Sequence, residues 1–215
     1  FAKILVQGRD AERVLNRICT ADIAMPIGKV AYTQFLNIKG GVEADLTVTR
    51  MTNECYLVVT AAFTATHVRA WIVENIPQDV ACVITDVSGA YAMLSVQGPN
   101  SRALLSQISS ATFSTESFPF GTMQQIEVGY QSAFAIRIAY TGELGWELYI
   151  PTEMTLGVYD RLVEVGGEHG LKHCGYHTLN SLRIEKAYRE WSHDMGPTDT
   201  LLECGLGFTC AWDKP

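Results

Sequence analysis

The residues best placed to do chemistry lie in and beside the stretch Ala139-Tyr140-Thr141-Gly142-Glu143-Leu144-Gly145-Trp146-Glu147-Leu148-Tyr149-Ile150. Two strand-like runs, 134–139 and 146–150, read as meeting across a polar turn whose glycines tolerate left-handed backbone or close approach of a ligand. Glu143 sits in the turn, Tyr140 offers an aromatic hydroxyl, and Glu147 is an acid inside an apolar strand. An acid in that last setting must face solvent, find a cation or receive donors from something bound. A surface hairpin with two solvated acids stays open as the alternative. A second glycine hairpin, Asn37 to Asp45, carries Gly40, Gly41, Glu43 and Asp45. Twin acidic hairpins favour a ligand with several N–H donors. Arg183, in a helical pattern from 176 to 188, has a planar fork that suits a carboxylate bidentately. Its alternative is a solvated arginine pairing with Glu185 or Glu190.

Composition narrows the field. Of 215 residues, 47% are hydrophobic and 18% charged, the balance of a globular chain with a core. The net charge of −7, with no Lys/Arg run longer than two, argues against a nucleic-acid footprint. No apolar run reaches the roughly 18 residues a membrane helix needs. Six scattered cysteines without a C-x-x-C pair suggest neither a disulfide framework nor a zinc ribbon, so they read as small hydrophobes in a reducing compartment. His169 and His173 are spaced i, i+4, but Gly170 between them and the lack of a third ligand argue against a metal site. The start at Phe1-Ala-Lys-Ile-Leu-Val lacks a signal-peptide pattern and enters directly into a strand, as expected of a piece of a longer chain.

These candidates need a scaffold, and the chain reads as duplicated. Residues 1–18 lie over 91–108 at an offset of 90, with Ala2/Ala92, Val6/Val96, Gln7/Gln97, Gly8/Gly98, Leu15/Leu105 and Ile18/Ile108 identical. Each copy reads as strand, glycine turn and amphipathic helix, with Asp10 and Asn100 as helix-start residues. Further strands are predicted over 31–37, 43–49 and 56–60, then 124–129, 132–139 and 147–150. Helices are predicted over 64–75, with Val68, Trp71 and Ile72 on one face, and 153–166, with Leu156, Tyr159, Leu162 and Val163 on one face. An offset of 91 lays Leu57 over Leu148 and Val59 over Ile150. The expected fold is α+β, with internally duplicated antiparallel sheets and covering helices. The hairpins 37–45 and 140–147 then read as equivalent, facing a cleft between the halves where a ligand is favoured.

The run Asn37-x-x-Gly40-Gly41-x-x-x-Asp45-Leu46-Thr47-Val48, then Gln97-Gly98-Pro99-x-Ser101-Arg102 and Tyr140-Thr141-Gly142-Glu143-x-Gly145-x-Glu147, resembles the aminomethyltransferase (glycine-cleavage T-protein) family. Ser181-Leu182-Arg183-Ile184-Glu185-Lys186 and Leu202-Glu203-x-Gly205-Leu206 extend the match over nearly the whole chain. Phe118-Pro119-Phe120 and Tyr188-Arg189-x-Trp191-x-His193-Asp194 look more like the folate-binding region of sarcosine and dimethylglycine dehydrogenases.

The resemblance implies a first folate-binding subdomain over 1–48 plus 130–215 and a second, ferredoxin-like, over 49–129. It also implies a terminal barrel and, in the dehydrogenases, a preceding flavin domain, neither of them in these residues. It implies a cofactor, tetrahydrofolate, to which a one-carbon unit is passed, and FAD only in that flavin domain, the chain's own partner. Glu147 matches the family's pterin-binding acid, and Asp45 its catalytic acid near the reacting nitrogens. Tyr140, Leu57 and Val59 would line the ring pocket, and Arg183 would join the polar network. Asn180 stands where the family usually has Asp, which would loosen the hold on Arg183. Leu201-Leu202-Glu203-Cys204 replaces the family's Pro-Leu-Glu-Ala. The function implied is a one-carbon transfer module of a flavin-dependent N-methylglycine dehydrogenase. A non-catalytic regulatory homologue and a stand-alone aminomethyltransferase are the alternatives. The location implied is cytoplasmic in a bacterium or the mitochondrial matrix in a eukaryote. Apolar residues over 208–212 would pack on the barrel, and their exposure would favour self-association.

Overall fold

The computed structural model describes residues 1–214. They form two compact units: residues 1–88 with those from 189 onward, and residues 89–188. The boundaries expected at 48/49 and 129/130 lie elsewhere. The first would cut strand β3 (Val42–Thr52), which is hydrogen-bonded on both sides. The second would part β7 (Met123–Val128) from β8 (Gln131–Ile136), a directly paired hairpin.

In the first unit, β1 (Ala2–Gln7), β2 (Val30–Leu36), β3, β4 (Cys55–Thr60) and β5 (Val83–Asp86) form an antiparallel sheet of order β2-β3-β4-β1-β5. Period-2 alternation sends Ile4, Val6, Ala44, Leu46, Val48, Tyr56 and Val58 to one face. There they pack with Leu15 of α1 (Ala11–Ile18) and with Val68 and Ile72 of α2 (Ala65–Glu74). Full burial of one such side chain stabilises by about 1.5–3 kcal/mol. Asp10 stands at the start of α1 but leaves the helix uncapped. Its carboxylate accepts the Ala81 N–H at 2.8 Å, which ties the chain entering β5 to the helix start.

The second unit repeats the plan. β6 (Tyr91–Gln97), β7, β8 and β9 (Gly145–Pro151) have the order β6-β9-β8-β7, covered by α3 (Ser101–Ile108) and α4 (Thr155–Gly166). Leu94, Val96, Ile126, Val128, Trp146, Leu148 and Ile150 face those helices, and Phe113 meets the Trp146 ring edge-on at 5.1 Å. The fold is therefore α+β and internally duplicated, as expected.

Details of the repeat differ from the expectation. Ile4 pairs with Val58 and Leu94 with Leu148, so the offset is 90 in both strands. Leu57 then corresponds to Glu147 and Val59 to Tyr149. The hairpins 37–45 and 140–147 are not equivalent, since the first joins β2 to β3 and the second leads from β8 into β9. Nor is the second tight. β8 ends at Ile136 and contacts β9 in three pairs only, leaving 137–144 as a wide connection. In α4 the buried face is Val158, Leu162 and Val165, while Leu156, Tyr159 and Val163 turn outward. β5 had no sequence signal beyond Val83-Ile84.

The segment after 188 belongs to the first unit by packing. Met195, Leu201, Cys204 and Leu206 bury against Val42, and the Trp191 indole N–H donates to the Val42 carbonyl at 2.8 Å. Gly41 lies so close to Pro197 that a β-carbon would sit 1.9 Å from its carbonyl oxygen.

Candidate functional site

Asp45 is on β3, on the face opposite the helices. Thr47, Leu57 and Val59 share that face, through the pairing of Thr47 with Val59 and of Thr49 with Leu57. Leu57 and Val59 are buried there. Asp45 sits across from Gln34 of β2, whose side-chain Nε2 donates to its Oδ1 at 2.8 Å. Burial pushes the Asp45 carboxyl up to about 6, against the opposing pull of donors from Gln34 and Tyr32. A carboxyl titrating there exchanges protons readily at neutral pH. Gln34 is wholly buried and is held in turn. Its Oε1 accepts from the Thr209 hydroxyl at 2.5 Å and from Thr20 at 3.4 Å. Glu43, the other acid of this hairpin, is taken up by Asn37 Nδ2 at 2.9 Å and by His67 at 3.3 Å.

Glu147 is on β9, again on the face away from the helices, with 7% of its surface exposed. The Tyr149 hydroxyl, two residues along the same strand face, donates to its Oε2 at 2.6 Å. Burial raises the Glu147 carboxyl above the ordinary glutamate range, against that donor, and the carboxylate raises the Tyr149 phenol beyond what burial alone does. Glu143 behaves as a solvated acid beside the Lys186 ammonium at 3.5 Å.

Arg183 is no helix-face arginine in solvent. In α5 (Tyr176–Glu185) it is the one buried residue, 3% exposed, while Ile184 faces outward. Its Nε donates to Asn180 Oδ1 at 2.8 Å and Nη1 to the Tyr188 carbonyl at 2.9 Å. Asn180 thus supplies an acceptor where a looser hold was expected. Ala187, in left-handed backbone at φ 55°, turns the chain so that the Tyr188 carbonyl reaches back. The Tyr188 ring stacks on Tyr140 at 6.3 Å.

The structure therefore groups Asp45, Leu57 and Val59 on one sheet face of the first unit. In the second it holds Glu147 on β9 and joins Arg183 to Tyr140 through Tyr188. Sequence reasoning missed Gln34, Thr209 and Tyr149. Tyr149 had a signal, since period 2 puts it beside Glu147. Gln34 had a weaker one, an amide in the otherwise strand-like Val30–Leu36. Thr209 had none.

The GCVT N-terminal domain family matches residues 1–214. The chain is 43% identical to a 4-methylaminobutanoate oxidase (formaldehyde-forming) of Paenarthrobacter nicotinovorans, over 100% of this chain and 26% of that protein. It is 38% identical to the mitochondrial sarcosine dehydrogenase of Mus musculus, over 98% of this chain and 24% of that one. Its fold is that of the glycine cleavage system aminomethyltransferase T from Bartonella henselae, with TM-score 0.84 and 24% identity, covering 97% of this chain and 55% of the other. The chain thus spans about a quarter of the length of those two curated relatives. No helix among the described residues is long and apolar enough to cross a membrane. With two antiparallel sheets under helices and a match across every described residue, this chain belongs to the GCVT N-terminal domain family, the family of the aminomethyltransferases.

Proposed function

We propose that this chain is a tetrahydrofolate-binding, one-carbon transfer module of a flavin-dependent oxidoreductase acting on an N-methylated amino acid. The observation that carries the reading is Glu147, a carboxylate buried in an apolar strand with one oxygen held by the Tyr149 hydroxyl. Such a group fits the adjacent N–H donors of a pterin edge, because burying it is costly until donors arrive. Glu147 would hold the pterin, with Tyr140 beside it. Arg183 would set the geometry of the 183–188 turn. Tetrahydrofolate, when bound, supplies the nitrogens that take up the one-carbon unit.

Asp45 is the acid–base residue of this reading. With its carboxyl near 6, it is mostly ionised at neutral pH and takes a proton at Oδ, a contribution of roughly 10²–10⁴-fold in rate. FAD belongs to a separate flavin-binding domain, the partner that generates the one-carbon unit. The names of the relatives, a formaldehyde-forming oxidase and a sarcosine dehydrogenase, support an oxidising partner by similarity.

The test is calorimetric titration with tetrahydrofolate of the wild type, Glu147→Gln and Asp45→Asn. Expected are binding by the wild type, at least a tenfold loss in Glu147→Gln, and near-normal binding with impaired transfer in Asp45→Asn. A flat trace from folded full-length protein would sink the reading.

A further inference from the structure

Gln34 has more to do than hold Asp45 still. An amide carries one donor end and one acceptor end, and which end faces which partner follows from the hydrogen-bond network. With Asp45 ionised, Nε2 must point to Oδ1, and Oε1 then takes the Thr209 hydroxyl proton. That hydroxyl has a second acceptor in reach, the Leu206 carbonyl at 2.7 Å, and one proton cannot serve both. Leu206 keeps the Thr209 backbone N–H at 3.0 Å whichever way the hydroxyl turns.

We propose that Gln34 and Thr209 form a two-state relay, in which protonation of Asp45 flips the Gln34 amide and swings the Thr209 hydroxyl from Gln34 to Leu206. In the flipped state the Asp45 O–H donates to Gln34 Oε1, Gln34 Nε2 donates to Thr209 Oγ1, and the Thr209 hydroxyl donates to the Leu206 carbonyl. Thr20 Oγ1, 3.4 Å from the amide, accepts the Gln34 backbone N–H at 3.1 Å in either state. Each of the two states leaves every buried polar atom of the set with a partner. The carboxyl can then gain and lose a proton without stranding a desolvated group, which would cost about 1–3 kcal/mol in either form. A buried leucine at 34 would satisfy neither state, and a lysine would satisfy only one.

Other groups facing Asp45 do not supply this exchange. Tyr32, from β2, donates to the ionised carboxylate. Cys204, from the segment after 188, is close enough to feel its charge but is a weak donor. Glu43, two residues along β3, is engaged by Asn37 and His67. The relay makes Gln34 and Thr209 positioning residues for Asp45, with Thr209 reaching it from the far end of the chain. The inference rests on reading Asp45 as the proton-moving acid, yet its test needs no folate.

The experiment uses the whole protein with ¹³C-carboxyl aspartate and ¹⁵N side-chain glutamine, titrated by NMR from pH 4 to 8. Asp45 and Gln34 are assigned through Asp45→Asn and Gln34→Leu. Expected is a Gln34 NH₂ shift with the midpoint of the Asp45 carboxyl, abolished in Asp45→Asn. Thr209→Val loses that response and Thr209→Ser, which keeps the hydroxyl, restores it. Gln34→Leu raises the Asp45 midpoint by on the order of one unit, because a donor to the charged form is gone. Gln34 resonances that stay flat while Asp45 titrates, or a Thr209→Val titration superimposable on wild type, would overturn the relay. Should the relay hold while Asp45→Asn transfers one-carbon units at the wild-type rate, the relay stands and the catalytic reading of Asp45 falls.

Discussion

Leu57 and Glu147 occupy the same place in the two halves of the duplication: Leu5 pairs with Leu57, and Ser95, 90 residues on from Leu5, pairs with Glu147. One copy fills the position with an aliphatic side chain and the other with a carboxylate. The fold at this point therefore has no need of an acid, and Glu147 answers to something else.

The first prediction follows from that contrast. Glu147→Gln keeps the volume and an acceptor for the Tyr149 hydroxyl while removing a charge that burial disfavours. A folded carboxyl raised above its unfolded value of 4.5 contributes stability fully present below that value and lost as pH rises through the folded one. Glu147→Gln is expected to be more stable than wild type at pH 8 and equal to it at pH 4. Glu147→Ala, which strands the Tyr149 hydroxyl, should be less stable than Glu147→Gln by about 1–3 kcal/mol. Urea unfolding at both pH values checks the order, and a Glu147→Gln protein weaker than Glu147→Ala would contradict it.

Asp45 makes the same argument with a number attached. Its carboxyl rises from 3.8 to about 6, so the ionised form costs stability once pH exceeds that window. Two units correspond to about 3 kcal/mol as a ceiling. Asp45→Asn should gain about 1–3 kcal/mol over wild type at pH 8, and the gain should close between pH 6 and 4. Thermal unfolding across this range measures it, and a gain independent of pH would show that charge is not the cause.

Much of this is legible in the sequence. The 90-residue repeat is read from identities at a fixed offset and the α+β plan from period 2, glycine turns and helix starts, while the roles of Asp45 and Glu147 rest on the family resemblance. The second hairpin was misread because three cross-strand pairs leave little pattern, and glycines in a wide loop look like glycines in a tight turn. The α4 face was misread because Leu156, Tyr159 and Val163 are apolar yet exposed, so composition pointed to the wrong side of the helix. The partners of the acids were hardest to see. Thr209 lies 175 residues from Gln34, a separation on which local pattern is silent.

Asn180 offers a third test. It accepts from the Arg183 Nε at 2.8 Å, and Arg183 is buried. Asn180→Ala removes that acceptor and should destabilise by about 1–3 kcal/mol, since hydrogen bonds to charged groups are the stronger class. Asn180→Asp keeps the oxygen and adds a charge, so it should match or exceed wild type. Denaturant midpoints of the two variants decide it, and equal losses in both would mean that the Asn180 oxygen does not hold Arg183.

The duplicated glycines give the last prediction. Gly8 and Gly98 follow β1 and β6 with φ of 129° and 115°, a region that strains any residue with a β-carbon. Backbone strain of about 1–3 kcal/mol is thus common to Gly8→Ala and Gly98→Ala. Their surroundings differ. A β-carbon at Gly8 would lie 2.2 Å from the Ala81 carbonyl oxygen, whereas at Gly98 nothing lies within 4 Å. Ala81 is fixed by its N–H bond to Asp10, and its carbonyl receives the Asp10 N–H at 3.3 Å, so it cannot retreat without releasing the chain that enters β5. Gly8→Ala should therefore cost more than Gly98→Ala and open the β1–β5 pairing first. Amide exchange at Val83–Asp86 reads that opening directly. Equal losses of stability in the two variants, with β5 protection unchanged, would show that the Ala81 contact yields more easily than its hydrogen bonds imply.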